Sequence, residues 1–276
     1  MKTIVCINEK GGVGKTTVAV TAAAGLAARG YRVLLIDTDE QGHVATSLGL
    51  EKAPGLFNLL EMQVSWRDVC LQIKPEQFMQ PGRALMSSTG TLLIVPSDTR
   101  TRALPFTMRP DAMVLNQRLQ QLASALDFVI IDTAPAASLI HLLIYSAADY
   151  AIYPTKTEYL SFDGLIEALS HLEGANSVRQ GKGLPAVQVA GIIPNMFRKA
   201  TLEHRENLKM LQEHYGDLVW QPVAERAVWT EALSSVSGYT PVYAHAPGSE
   251  AAREAWEIVN RIEMLVMGEV KHEQSA

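Results

Sequence analysis

The sequence is 276 residues long and 47% hydrophobic, with 29 acidic against 24 basic residues and a net charge of −5. That length and apolar content supply a full core, fit one large α/β domain or at most two small ones, and exclude wholesale disorder. The acidic balance excludes a whole-protein field for nucleic acid, which leaves only a local basic patch for that purpose. Two cysteines, Cys6 and Cys70, make neither a disulfide framework nor a metal site and point to a soluble, reducing compartment.

In chain order, the first element is a strand from Thr3 to Asn8, with no charged n-region or cleavage site that would make it a signal peptide. A glycine-rich loop and an Ala-rich helix, Lys15 to Ala28, follow, then a strand from Arg32 to Asp37. From Leu50 to Gly90 the pattern is less regular and places Cys70 in a helix; Arg83 to Met86 and Thr91 to Val95 make a candidate hairpin. Strands are then expected at Thr91 to Pro96, Phe128 to Asp132, Tyr150 to Pro154, Val187 to Pro194 and Leu218 to Gln221. Between and after them lie helical patterns at Arg109 to Leu126, Ser138 to Ala147, Phe162 to Arg179, Thr201 to Tyr215 and Gly248 to Met267.

Most of these strands are continuous apolar runs, as expected of strands covered on both faces, and they alternate with helices. The expected fold is therefore α/β, a doubly wound, mostly parallel sheet. No linker interrupts it, so residues 1–276 read as one domain whose last few residues form a flexible tail. The longest apolar stretches, such as Leu139 to Ala148, fall short of the roughly 20 residues needed to cross a bilayer.

The loop Gly11-Gly12-Val13-Gly14-Lys15-Thr16-Thr17 sits between an apolar strand and a helix. Glycines without side chains let successive N–H groups turn around a phosphate, and the helix adds its positive N-terminal dipole. Lys15 neutralises β- and γ-phosphate charge in such a loop, and the Thr16 hydroxyl ligates Mg²⁺. At the C-terminal end of the next strand, where open α/β sheets bind ligands, stand Asp37 and Asp39, which strand alternation points to one side. The strand Phe128 to Asp132 ends in an acid suited to hold Mg²⁺ through water, the alternative being a helix N-cap.

Lys10, one position before the first glycine, completes a signature that resembles the ParA/MinD family of deviant Walker ATPases, a P-loop NTPase fold of the SIMIBI type. Without that context Lys10 reads as a solvated loop charge. The resemblance implies ATP and Mg²⁺ as cofactors, and a homodimer in the ATP state in which Lys10 reaches across into the partner's nucleotide. It also implies that Asp39, in the A′ motif, orients the attacking water, that Asp37 lies behind it as a partner of Mg²⁺ or Thr16, and that Asn195 meets adenine. After Asp132 the family carries two prolines where this chain has Ala134 and Pro135.

Asp39-Glu40-Gln41-Gly42 is closer to the Asp-Pro-Gln-Gly of partition members than to the MinD branch. Tyr153-Pro154, Glu158-Tyr159, Gly164-Leu165, Gly191-Ile192-Ile193 and Thr230-Glu231-Ala232 extend the likeness to short, Soj-type ParA proteins over nearly the whole chain. No helix-turn-helix precedes Met1, which is expected of those short members. The last helix carries Glu250, Glu254, Glu257 and Glu263 against Arg253 and Arg261, so it lacks the basic face of a membrane anchor; Trp256, Val259, Ile262 and Leu265 read as core. Neither cysteine is placed for an iron–sulfur cluster.

The branch implies a slow ATPase that binds non-specific DNA in its ATP state, is stimulated by a ParB-like activator, and segregates plasmid, chromosome or other cargo. It would be cytoplasmic, and nucleoid-associated when on DNA, with no membrane partner. Candidate phosphate contacts are Arg198, Lys199, Arg205, Lys209 and Arg226. Glu203, Glu206 and Glu213 nearby favour an ordinary solvated face instead, and two positions where relatives carry an arginine align with Ala200 and Val228. Two other readings use the same loop: a MinD-like or scaffold-type positioning switch without DNA, and a metabolic enzyme that activates a small carboxylate, against which Lys10 argues.

Overall fold

The computed structural model describes residues 1–79, 90–107, 113–135, 139–158, 162–234 and 238–273. Its strands are β1 (Lys2–Cys6), β2 (Arg32–Asp37), β3 (Leu71–Ile73), β4 (Thr91–Val95), β5 (Phe128–Asp132), β6 (Tyr150–Lys156) and β7 (Gln188–Asn195). They form one sheet in the order β3-β4-β2-β5-β1-β6-β7, parallel throughout except for the antiparallel edge pair β3/β4. The helices are α1 (Lys15–Ala28), α2 (His43–Ser47), α3 (Gly55–Leu60), α4 (Trp66–Val69), α5 (Leu104–Thr107), α6 (Val114–Gln120), α7 (Leu139–Ala147), α8 (Phe162–Gly181), α9 (Leu202–Tyr215), α10 (Ala227–Ala232), α11 (Val242–His245) and α12 (Glu250–Glu273).

Strand alternation sends Ile4, Cys6, Val33, Leu35 and Ile130 into one core and Val5, Ile7, Leu34, Ile36 and Ile131 into the other. The first core is closed by α1 and α12, the second by α6, α7 and α8. Helix α1 is buried almost all round, which its run of alanines permits, since small side chains let sheet and helix approach together. At Gly25 the approach is closest: an added Cβ would lie 2.3 Å from Val259 Cγ2 of α12. Val259 and Ile262 are fully buried, with Trp256 and Leu265 partly buried beside them, which is the core face expected of that helix. None of the described helices is long and apolar enough to cross a membrane.

Three expectations need correction. Leu218 to Gln221 is not a strand: Val219 makes an isolated bridge to Ile192, while the Trp220 ring N–H takes the Ala190 carbonyl at 3.2 Å and Pro222 lacks a donor, so no ladder extends. Of the helix at Arg109 to Leu126, α6 covers 114–120 and tight i to i−3 turns follow to Ala125, while 109–112 lie outside the described residues. Cys70 ends α4 in extended conformation and leads into β3, a short edge strand the irregular pattern concealed. The candidate hairpin at 83–86 and the tail at 274–276 lie outside the described residues.

Candidate functional site

Strands β1, β2 and β5 end together: Cys6 and Asp37 both stand opposite Asp132. The loop leaving β1 rises over these ends and turns into α1 through Gly12 (φ 69°) and Gly14 (φ 92°), left-handed conformations that favour glycine. Gly14 is the N-cap of α1, with no side-chain cap and no acid in the first turn, so the N-terminal amides and the positive end of the helix dipole face outward.

Two asparagines clasp this loop. Asn8 accepts from the Lys10 amide at 2.8 Å and donates to the Pro154 carbonyl at 2.9 Å. Asn195, at the end of β7, donates to the Val13 carbonyl at 2.8 Å and accepts from the Met196 amide at 2.9 Å. A Cβ added at Gly14 would lie 2.1 Å from Asn195 Nδ2, so only glycine lets that clasp close. Glu9 meets His171 of α8 at 2.9 Å, and Lys10 is exposed just before the loop. Gly11 and Thr17 line the same cleft.

Lys15 is buried, and its Nζ donates to the Lys10 carbonyl at 3.1 Å. Burial lowers its pKa, opposed by the nearby charges of Asp132 and Asp39. The Thr16 hydroxyl donates to Asp132 Oδ2 at 2.6 Å. Asp132 is fully buried; burial pushes its pKa up to about 7, against the Thr16 bond and the Lys15 charge. Its Oδ1 is buried without a hydrogen-bond partner among the described residues.

Asp37, also buried, is raised well above the carboxylate range by burial and then by Asp132. It does not meet Thr16: its two oxygens accept the Asp39 amide at 2.9 Å and the Val44 amide at 3.1 Å, shaping the turn after β2. Because β2 ends at Asp37, alternation does not reach Asp39, which that turn carries to the cleft wall, where its Oδ1 accepts the Gln41 amide at 2.9 Å. Uncapped amides and a buried lysine suit a phosphate anion. Two buried carboxylates beside them, one with an orphaned oxygen, suit a divalent cation at Thr16 and Asp132.

The cleft over these groups has a volume of about 1040 Å³, and its far wall is Thr101, Arg102, Pro105 and Phe106. A second cavity of about 320 Å³ begins at Thr17 and Asn195 and runs between Met196, Val223, Arg226 and Trp229. Sequence reasoning missed Arg102, which no motif flags and which is joined to Glu40 only by the fold. It missed His204 as well: this buried side chain of α9 meets the Thr157 hydroxyl at 2.7 Å and accepts the Arg198 amide at 3.1 Å, tying together the loops after β6 and β7. Its place inside an otherwise charged, amphipathic helix was the available signal.

Three of the five basic candidates are tied up in ion pairs. Arg198 pairs with Glu225, Arg226 with Glu254 at 2.6 Å, and Lys209 with Glu213 at 3.6 Å. Arg205 donates to the Lys199 carbonyl at 3.0 Å, and Lys199 is exposed beside it.

A family model described as an AAA domain matches residues 1–180. The chain is 28% identical over 268 residues to the chromosome-partitioning ATPase Soj of Thermus thermophilus, covering 95% of this chain and 97% of that one. It is 33% identical over 230 residues to the chromosome partitioning protein ParA of Myxococcus xanthus, covering 82% and 76%. Among solved structures, a putative plasmid partition protein of Borrelia burgdorferi bound to AMPPNP superposes with TM-score 0.73 at 19% identity, covering 95% of this chain and 98% of that one. Apo McdA from Cyanthece gives TM-score 0.68 at 24% identity, covering 93% and 99%.

Proposed function

The chain belongs to the ParA/MinD family of deviant Walker ATPases, and on that premise we propose that it is an ATP-switched dimer of the partition type. It binds ATP with Mg²⁺, closes on a second copy, holds non-specific DNA in that state and hydrolyses ATP slowly until a ParB-like activator speeds the step. The observation that carries the Mg-ATP part of this reading is the Thr16–Asp132 pair, 2.6 Å long, with its orphaned carboxylate oxygen beside the uncapped start of α1. A buried acid with a free oxygen is costly unless a cation is due there.

The residues divide the work. Amides of Gly11, Gly12, Val13, Gly14 and Thr17 surround the phosphates, and Lys15 sets its charge against them. Thr16 and Asp132 hold Mg²⁺, with Asp37 behind them shaping the turn; the ion supplies charge neutralisation along the phosphates. Asp39 orients the attacking water and accepts its proton. Lys10, exposed just before the loop, reaches the partner's nucleotide. Adenine lies in the second cavity, where Asn195 has one donor and one acceptor position left after its bonds to Val13 and Met196. Lys199 and Arg205, with Arg198, Lys209 and Arg226 once released from their glutamates, hold DNA phosphates, which places the ATP state on the nucleoid within the cytoplasm.

The test is a gel shift with non-specific duplex in ATP and in ADP, at low and raised salt. The expected result is a shift in ATP alone that salt abolishes. No ATP-dependent shift at low salt would sink the DNA part and favour the second reading, a positioning switch acting on a protein or membrane surface without DNA. The ion pairs of Arg198, Lys209 and Arg226 are the observation on that side.

A further inference from the structure

The cleft wall facing the phosphate loop is the segment that follows β4. It is anchored at its base: the Ser97 and Thr101 hydroxyls are 2.6 Å apart, Asp98 accepts the Arg100 amide at 2.9 Å, and Leu104 is fully buried. Its cleft side is the opposite in character. The Arg102 side chain is 75% exposed and Phe106 is 86% exposed, although both line the cleft.

Among the described residues, Glu40 is the partner that holds Arg102. Its guanidinium forks onto the Glu40 carboxylate, with Nε 2.6 Å from Oε2 and a second bond from the same guanidinium to Oε1. Glu40 lies between Asp39 and Gln41, whose amide closes the turn that aims Asp39. A forked pair this exposed is weakly held, because water and salt screen it. A terminal phosphate offers the same fork more charge and three oxygens, and guanidinium is the side chain whose geometry matches it.

We propose, on the reading of this cleft as an ATP site, that Arg102 is a specificity residue for the γ-phosphate, held by Glu40 until that phosphate displaces the carboxylate. Lys15 and Thr16 meet the phosphates from the floor of the cleft; Arg102 meets the terminal one from the opposite wall. ADP lacks the group that wins the competition, so Glu40 keeps the guanidinium in the ADP state. The exchange swings the Arg102 side chain toward the phosphate loop while Thr101 and Leu104 stay anchored, and so changes the exposed face that Arg102 shares with Phe106, which displays the nucleotide state on the surface.

Titration calorimetry tests this with Mg²⁺ and either ADP or a non-hydrolysable ATP analogue. Arg102→Ala is expected to weaken the analogue roughly 10-fold or more while ADP affinity stays within about 2-fold, ADP serving as the control for folding. Arg102→Lys keeps the charge without the fork and recovers only part of the loss. Glu40→Gln removes the stronger competitor and is expected to tighten the analogue several-fold without changing ADP. Equal loss of both nucleotides in Arg102→Ala, or an unchanged preference, would overturn the assignment while leaving the ATP site standing. If the unmodified chain binds neither nucleotide, the functional reading falls and this one with it.

Discussion

Gly14→Ala is the sharpest test of how the phosphate loop is built. The new Cβ meets two separate penalties. At φ 92° an L side chain is strained by about 1–2 kcal/mol. The Cβ would also stand 2.1 Å from Asn195 Nδ2, so Asn195 must swing away and leave the Val13 carbonyl without its donor, a further cost of about 1–3 kcal/mol. Together these destabilise by about 2–5 kcal/mol, or roughly 3–9 °C in thermal midpoint for a chain of this size. Differential scanning fluorimetry measures the midpoint, and titration with Mg-ATP measures the site. Asn195→Ala alone should cost about 1–3 kcal/mol through the same carbonyl. The double variant should cost less than the two singles combined, because the collision exists only when both side chains are present. Strict additivity, or a Gly14→Ala protein with an unchanged midpoint, would refute the clasp.

The other predictions concern chemistry and charge. Lys10→Ala should bind Mg-ATP within a few-fold of the parent while its hydrolysis per protomer falls and stops rising with protein concentration; steady-state assays across a dilution series decide, and an unchanged rate per protomer rules out the crossing lysine. For Asp39→Ala, retained nucleotide binding and dimerisation with hydrolysis down roughly 100-fold or more are expected, by phosphate release and analytical ultracentrifugation. The third concerns Asp127, whose pKa the Arg32 hydrogen bonds lower from the ordinary 3.8. A lowered folded value means that its stabilisation is present above pH 3.8 and is lost as pH falls through the folded pKa. The midpoint difference between parent and Asp127→Asn should therefore be flat from neutral pH down to about 5 and shrink in stronger acid; a difference that grows on acidification contradicts the sign.

What the sequence revealed depended on how local the cause was. Thr3 to Asn8, Arg32 to Asp37 and Phe128 to Asp132 are apolar runs that the sequence shows as strands ending in the loop and the acids; that Asp37 and Asp132 stand side by side comes only from the strand order. Lys15 and Thr16 follow from the spacing of the loop. The partner of Thr16 did not follow, because Asp37 and Asp132 look alike in sequence and only the turn to Val44 shows that Asp37 is already occupied. The Leu218 to Gln221 run has strand composition, yet a tryptophan ring takes the carbonyl that a neighbouring strand would have used. Arg102 reaches Glu40 across 62 positions, and no periodicity carries that distance.

The near-complete burial of α1 has a mechanical corollary. Wedged between the sheet and α12, with Gly25 against Val259, the helix that carries Lys15 and Thr16 has nowhere to go. It acts as a stator, and the amides past its first turn should be among the last in the molecule to exchange with deuterium. Any stroke set off by the nucleotide must then be taken up by parts that are free to travel. The exposed Arg102 side chain on the outer wall is the part we propose to move; the floor of the cleft is the fixed frame against which it works.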